Sequence, residues 1–167
     1  IPDRNKLGMD SHFEASRGAY MIKDYDDDRQ KEGVILVRGT SVISELCKIL
    51  PKIHSDGPNV KIIAALSWGL FDMQTEEYKV SLIKDNEWLD CMVITNTSIG
   101  NMKHWVQHTQ VAKYSISPDW NNNWLHGGNL EEVIEEAHLS SDWQMKAIIR
   151  FAKERDLRIE FLQKRLP

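Results

Sequence analysis

Disulfide chemistry has almost no material in this sequence. Two cysteines, Cys47 and Cys91, are all it carries. Neither belongs to a Cys-x-x-Cys pair or has a neighbouring histidine to lower its pKa, so thiolate catalysis lacks its usual setting. Two buried, reduced thiols fit a cytoplasmic protein. No apolar run approaches the roughly 18 residues that cross a bilayer, and the opening residues do not read as a signal peptide. A basic balance is missing too: the formal net charge is −4, with both signs interspersed, which argues against nucleic acid as a partner. P-loop, Gly-x-Gly-x-x-Gly and Gly-x-Ser-x-Gly signatures are absent, as are internal repeats. The chain begins Ile-Pro-Asp-Arg without an initiator methionine, and a fragment of a longer polypeptide is expected.

What is present is an alternation of periods over 167 residues, enough for one domain with a core of its own. Residues 1–18 are polar, broken by Pro2, Gly8 and Gly18, and read as a linker or arm. From residue 19 the pattern predicts an α/β domain running to 167. An edge strand over "AYMIKDY" leads through the acidic run Asp26-Asp27-Asp28, expected as a solvated hairpin tip. "VILV" at 34–37 is a core strand, and Val42, Leu46, Ile49 and Leu50 then recur at helical spacing. "NVKIIAA" is the next strand. A crossover of that length implies parallel pairing. A helix over about 75–83, a strand in "DCMVITN", a short helix near 102–108 and a fourth strand in "VAKYSI" follow. Asn129 and Glu132 hold capping-box positions before a helix whose inner face is Leu130, Val133, Ile134 and Ala137. A second capping box at Ser141–Gln144 opens a last helix reaching about Leu162, with Trp143, Ala147, Ile148 and Phe151 inward. The expected architecture is a three-layer α/β/α sandwich on a mostly parallel sheet of about five strands.

Candidate sites are few. Arg38, Gly39, Thr40 and Ser41 join a strand to a helix N-terminus, where free N–H groups favour an anion; helix capping by the two hydroxyls explains the same residues. His104 and His108 share a helical face, but no third zinc ligand is identifiable, so a surface or partly packed pair is expected. His126 has no nucleophile beside it. The glutamates at 131, 132, 135 and 136 read as the wet side of their helix. Trp68 and Phe71, at the corner after the second core strand, are candidate packing or interface residues. So are Trp120 and Trp124, which flank three asparagines. No self-sufficient catalytic constellation is visible.

Three stretches add a resemblance. "SRGAYMIKD", "VILVRGTSVISEL" and "VKIIAALSWGLFDMQTEEYKVSLI" resemble, in order and approximate spacing, the C-terminal domain of the transketolase family, thiamine-diphosphate enzymes that transfer two-carbon ketol units. Phe71, Asp72, Gln74, Tyr78, Lys79, Ser81 and Leu82 fill the family's places, while Leu66 and Lys84 stand where it has proline. The likeness covers roughly residues 16–95; beyond it only the order of elements agrees. It implies a domain that is itself non-catalytic, packing on the upstream cofactor-binding domains of the same enzyme within a homodimer, with no nucleic-acid or membrane partner. The parent would carry thiamine diphosphate and a divalent metal, Mg or Ca. The family's diphosphate motif, Gly-Asp-Gly followed by Asn-Asn, has no counterpart, because Asp56-Gly57 lacks both the preceding glycine and the asparagines. Two other readings stay open: the matching domain of a homodimeric 2-oxoacid dehydrogenase first component, and a small-anion-binding regulatory module at Gly39.

Overall fold

The computed structural model describes residues 3–121 and 125–164. Four strands, β1 (Ala19–Lys23), β2 (Val34–Arg38), β3 (Lys61–Ala65) and β4 (Cys91–Thr95), form one sheet in the order β1-β3-β2-β4. β2 runs parallel to both β3 and β4, and β1 pairs antiparallel with β3 at the edge. Residues 34–37, 62–65 and 91–94 are continuous apolar runs because both faces of their strands are covered. Ile35 and Val37 point into one core and Val34 and Leu36 into the other, as the two-residue period of a strand requires.

α1 (Thr40–Ser55) buries Val42, Leu46, Leu50 and Ile53 against the first face. α6 (Ser141–Lys153) covers the same face with Ile148 and Phe151. The opposite face is closed by Phe71 of α2 (Trp68–Asp72), Leu82 of α3 (Glu76–Leu82), and Met102, Trp105 and Val111. Two smaller helices, α4 (Thr109–Tyr114) and α5 (Leu130–Glu136), and a last one, α7 (Arg155–Gln163), complete the layers. The sandwich is three-layered and mostly parallel, as expected. Among the described residues no helix is long and apolar enough to cross a membrane.

Several local expectations are overturned. Among the described residues the sheet has four strands rather than about five, because "VAKY" winds into α4. Val111 and Tyr114, three apart, are its buried residues, and the His108 ring caps its start. Beyond it Ile116 meets the sheet edge through an isolated bridge to Ile94, and Ser115 Oγ accepts from Val93 N. β1 and β2 are not neighbours, so Asp26–Asp28 is an exposed connection rather than a hairpin tip. The capping box at Asn129 and Glu132 is formed, yet Leu130 is 69% exposed. α6 has no side-chain cap of its own. Instead Glu45 of α1, almost fully buried, accepts from the Ser141 N–H at 3.1 Å. The last helix breaks at Glu154, and Arg158 beyond the break folds inward to 1% exposure.

The segment before β1 is not detached from the body. Met9 is 7% exposed within the first core, and Leu7 and Ala15 pack beside it. A 3-10 turn over His12–Arg17 ends at Gly18, whose φ is 86°.

Candidate functional site

Open parallel sheets offer ligands a crevice at the carboxyl ends of their strands, where the chain order reverses. Here β2 connects through α1 to β3 on one side, and β3 then crosses to β4 on the other, so the reversal falls between β2 and β4. A pocket of about 920 Å³ opens there, lined by Arg4, Arg38, Gly39, Lys48, Leu66 and Asn96 among others. Gly39 is required by geometry: its φ is 109°, and a Cβ would collide with the Asn96 side chain. Asn96 Nδ2 in turn donates to Ser41 Oγ at 3.2 Å.

Thr40 and Ser41 are the first two helical residues, not caps. The N-cap is Gly39, which offers no side chain, and no acidic residue occupies the first turn. The first N–H groups of any helix lack intrahelical acceptors, so this end remains electropositive toward the pocket. Arg38 donates to Asn101 O at 3.3 Å and lies 3.6 Å from Met102 Sδ. Arg4 donates to Tyr20 Oη at 3.1 Å and to Asp10 O at 2.9 Å, and Lys48 is paired with Glu45 at 2.5 Å. Cys47 also lines the pocket; burial pushes its thiol up, partly opposed by the Arg4 charge. Two guanidinium groups, those of Arg4 and Arg38, thus line the pocket at this helix start.

The corner after β3 is built differently. Ser67 Oγ caps α2 by accepting from Leu70 N, and the N–H groups of Leu66 and Ser67 both donate to Gly18 O at 2.9 Å. A Cβ at Gly18 would strike Phe71 N and Ser67 O, so the corner closes only over a glycine. Tyr78 Oη donates to Ala19 O at 2.8 Å. Gly18, the corner and α3, taken from two of the stretches that carry the resemblance, thus lock one another. Phe71 is 1% exposed, and half-buried Trp68 packs on it at 5.8 Å between centroids. Trp88, Trp105 and His104 complete a five-ring cluster around Trp68, at 6.1, 5.1 and 5.6 Å. Neither Trp88 nor Trp105 carries a local signal that would have named it.

Trp120 is 51% exposed and stacks on His138 at 4.0 Å, while Trp143 stacks on the other side of the imidazole at 3.9 Å. Trp124 lies outside the described residues. His104 lies on Trp68, and His108 Nδ1 accepts from Gln110 N, so the two histidines are occupied separately. His126 pairs with Glu136 at 2.7 Å. Among the described residues no group of three or more His, Cys, Asp or Glu could hold a metal. The sequence likewise carries no Gly-Asp-Gly followed by Asn-Asn.

No protein-family model matches the chain. Among curated proteins it is 33% identical over 63 residues to transketolase 10 of Craterostigma plantagineum, covering 38% of this chain and 9% of that one. It is 32% identical over 73 residues to transketolase 2 of Escherichia coli K12, covering 44% and 10%. Among solved structures, a transketolase from Campylobacter jejuni superposes with a TM-score of 0.58 at 15% identity, over 81% of this chain and 19% of the other. One from Pichia stipitis gives 0.60 at 20% identity, over 87% and 20%. The chain therefore spans about a tenth of the curated relatives' length and a fifth of these structures. Sequence similarity over two fifths of the chain and fold similarity over more than four fifths together make it a transketolase-like α/β domain.

Proposed function

We propose that this chain is the C-terminal domain of a transketolase-like enzyme, supplying domain packing and dimer contacts rather than reacting groups. The observation that carries the reading is the asymmetry of coverage: 87% of this chain superposes on only 20% of the Pichia stipitis transketolase. Most of an enzyme of that kind would therefore lie in polypeptide additional to this domain. There the thiamine diphosphate and divalent metal would be held, and two-carbon ketol transfer between sugar phosphates would occur. This chain's partners would be those upstream domains and a second copy of the enzyme, in the cytoplasm. Phe13, Leu70 and Met73, exposed at 73, 44 and 81%, offer apolar surface for packing. The test is direct: the purified 167-residue chain neither binds thiamine diphosphate in calorimetry nor converts ketose phosphates. Turnover by this chain alone overturns the reading.

A second reading, a small-anion-binding regulatory module, is favoured by the pocket that Arg4, Arg38 and Lys48 line at the start of α1. It predicts saturable heat on titration with inorganic phosphate or sugar phosphates, lost in Arg38→Gln. A silent titration with no thermal shift removes it.

A further inference from the structure

Outside the five-ring cluster lies a second cavity, about 440 Å³, whose lining includes Trp68, Trp88, Asp72, Glu76, Lys79 and Asp85. Its two indoles meet at 67°, with centroids 6.1 Å apart. Gln107 adds an amide at the rim. The charges are unbalanced. Lys79 Nζ is 2.5 Å from Glu76 Oε1 and also feels the Asp72 charge, so this one cation stands against three carboxylates of the lining. Asp72 and Asp85, both exposed, remain as two carboxylates beside aromatic walls.

Indole rings attract a cation through their quadrupole, and carboxylates accept hydrogen bonds from it. A planar guanidinium satisfies both at once, because it stacks on aromatic surface while its fork of N–H donors reaches carboxylate oxygens. We propose that this cavity is a docking site for an arginine side chain of a partner polypeptide segment, seated against Trp68 and Trp88 and bonded to Asp72 and Asp85. Charge complementarity selects the occupant: an apolar side chain would leave both carboxylates facing a desolvated surface, and an anion would be repelled. The site is read from this chain's own side chains and stands whether or not the chain belongs to a transketolase-like enzyme.

The experiment titrates the ¹⁵N-labelled full chain with the peptide acetyl-Gly-Arg-Gly-amide and follows the indole N–H resonances of Trp68 and Trp88. Saturable shifts are expected below about 10 mM peptide, a weak-affinity range, together with a response at least about tenfold weaker to acetyl-Gly-Gln-Gly-amide. Asp72→Asn with Asp85→Asn should weaken binding about tenfold without moving the melting temperature, since both side chains are exposed. Added salt should weaken it as well. No saturable shift up to that concentration overturns the proposal. So does an equal response to the glutamine peptide, which marks a merely apolar groove, or binding that survives loss of both carboxylates. If the double variant unfolds, each single variant carries the same comparison.

Discussion

His138 lies parallel to Trp143, with ring centroids 3.9 Å apart and planes 18° from coincidence. Its backbone is left-handed, φ 58°, because it follows the C-cap of α5: its N–H donates to Glu135 O and that of Leu139 to Ile134 O. Glycine is the usual occupant of that position. A histidine stands here despite a backbone penalty of about 1–2 kcal/mol, and the two flanking indoles supply the offset.

Replacing His138 separates these effects. His138→Ala keeps the unfavourable backbone and loses both ring contacts, worth about 0.5–1.5 kcal/mol each; destabilisation of about 1–3 kcal/mol is expected. His138→Gly loses the same contacts but frees the backbone, so it should be milder by about 1 kcal/mol. Urea denaturation of both variants checks the order.

Gly39→Ala meets the Asn96 side chain at a φ of 109°, and should destabilise by about 2–4 kcal/mol. Asn96→Gly in the same background removes the obstacle and should restore part of the loss. A double-mutant cycle showing simple additivity would contradict the contact.

Asp90 is 6% exposed and accepts from Arg158 Nη2 at 2.8 Å and from Arg155 Nε at 2.7 Å. Arg158 also donates to Phe151 O and places its guanidinium carbon 3.6 Å from that ring's centroid. Asp90→Asn strands a buried cation, a loss of about 3–5 kcal/mol. Arg158→Met, which removes the cation and keeps some of its bulk, should be less harmful than Asp90→Asn. Thermal melts of the two variants decide it.

Burial, reinforced by the Asp90 charge, pushes the Cys91 thiol well above its ordinary range; burial raises Cys47 as well. Thiolate is the reacting species. At pH 8 Cys91 should resist iodoacetamide until the protein unfolds, while Cys47 reacts slowly in the folded state. The sign of the linkage follows. The unfolded thiols ionise first, so stability is full below about pH 8.5 and falls as pH rises above it. Mass spectrometry of labelled peptides and denaturation between pH 7 and 10 measure both.

Trp68→Ala removes the ring on which Phe71, Trp88, Trp105 and His104 converge. A loss of about 2–4 kcal/mol is expected, with collapse of the near-ultraviolet circular dichroism of the cluster. Unchanged stability would show that the cluster packs without it.

Legibility followed the range of each interaction. The strand–helix–strand unit from Val34 to Ala65 and the capping box at Asn129 are written in local period and spacing, and the sequence yields them. The cap of α6 comes from Glu45, 96 positions away from Ser141, so no local pattern announces it. Nothing local singles out Arg158, because its partner, Asp90, lies 68 positions earlier. "VAKYSI" fails for another reason: its β-prone residues are also spaced as a helical face, and the His108 cap tips the balance. At the candidate pocket the glycine was visible, but Asn96 and Arg4, which shape the space beside it, became neighbours only through folding.

The register of β1 has a temporal side. Ala19 pairs with Ala65, and Tyr20 with Ala64, so β1 emerges from the ribosome before β3, the strand it pairs with, has been made. At synthesis rates of about 5–20 residues per second, that interval lasts roughly 2–10 s. During it Tyr20 and Ile22, both destined for the core, lack the strand they pair beside, and the nascent chain exposes them to whatever binds unfolded polypeptide.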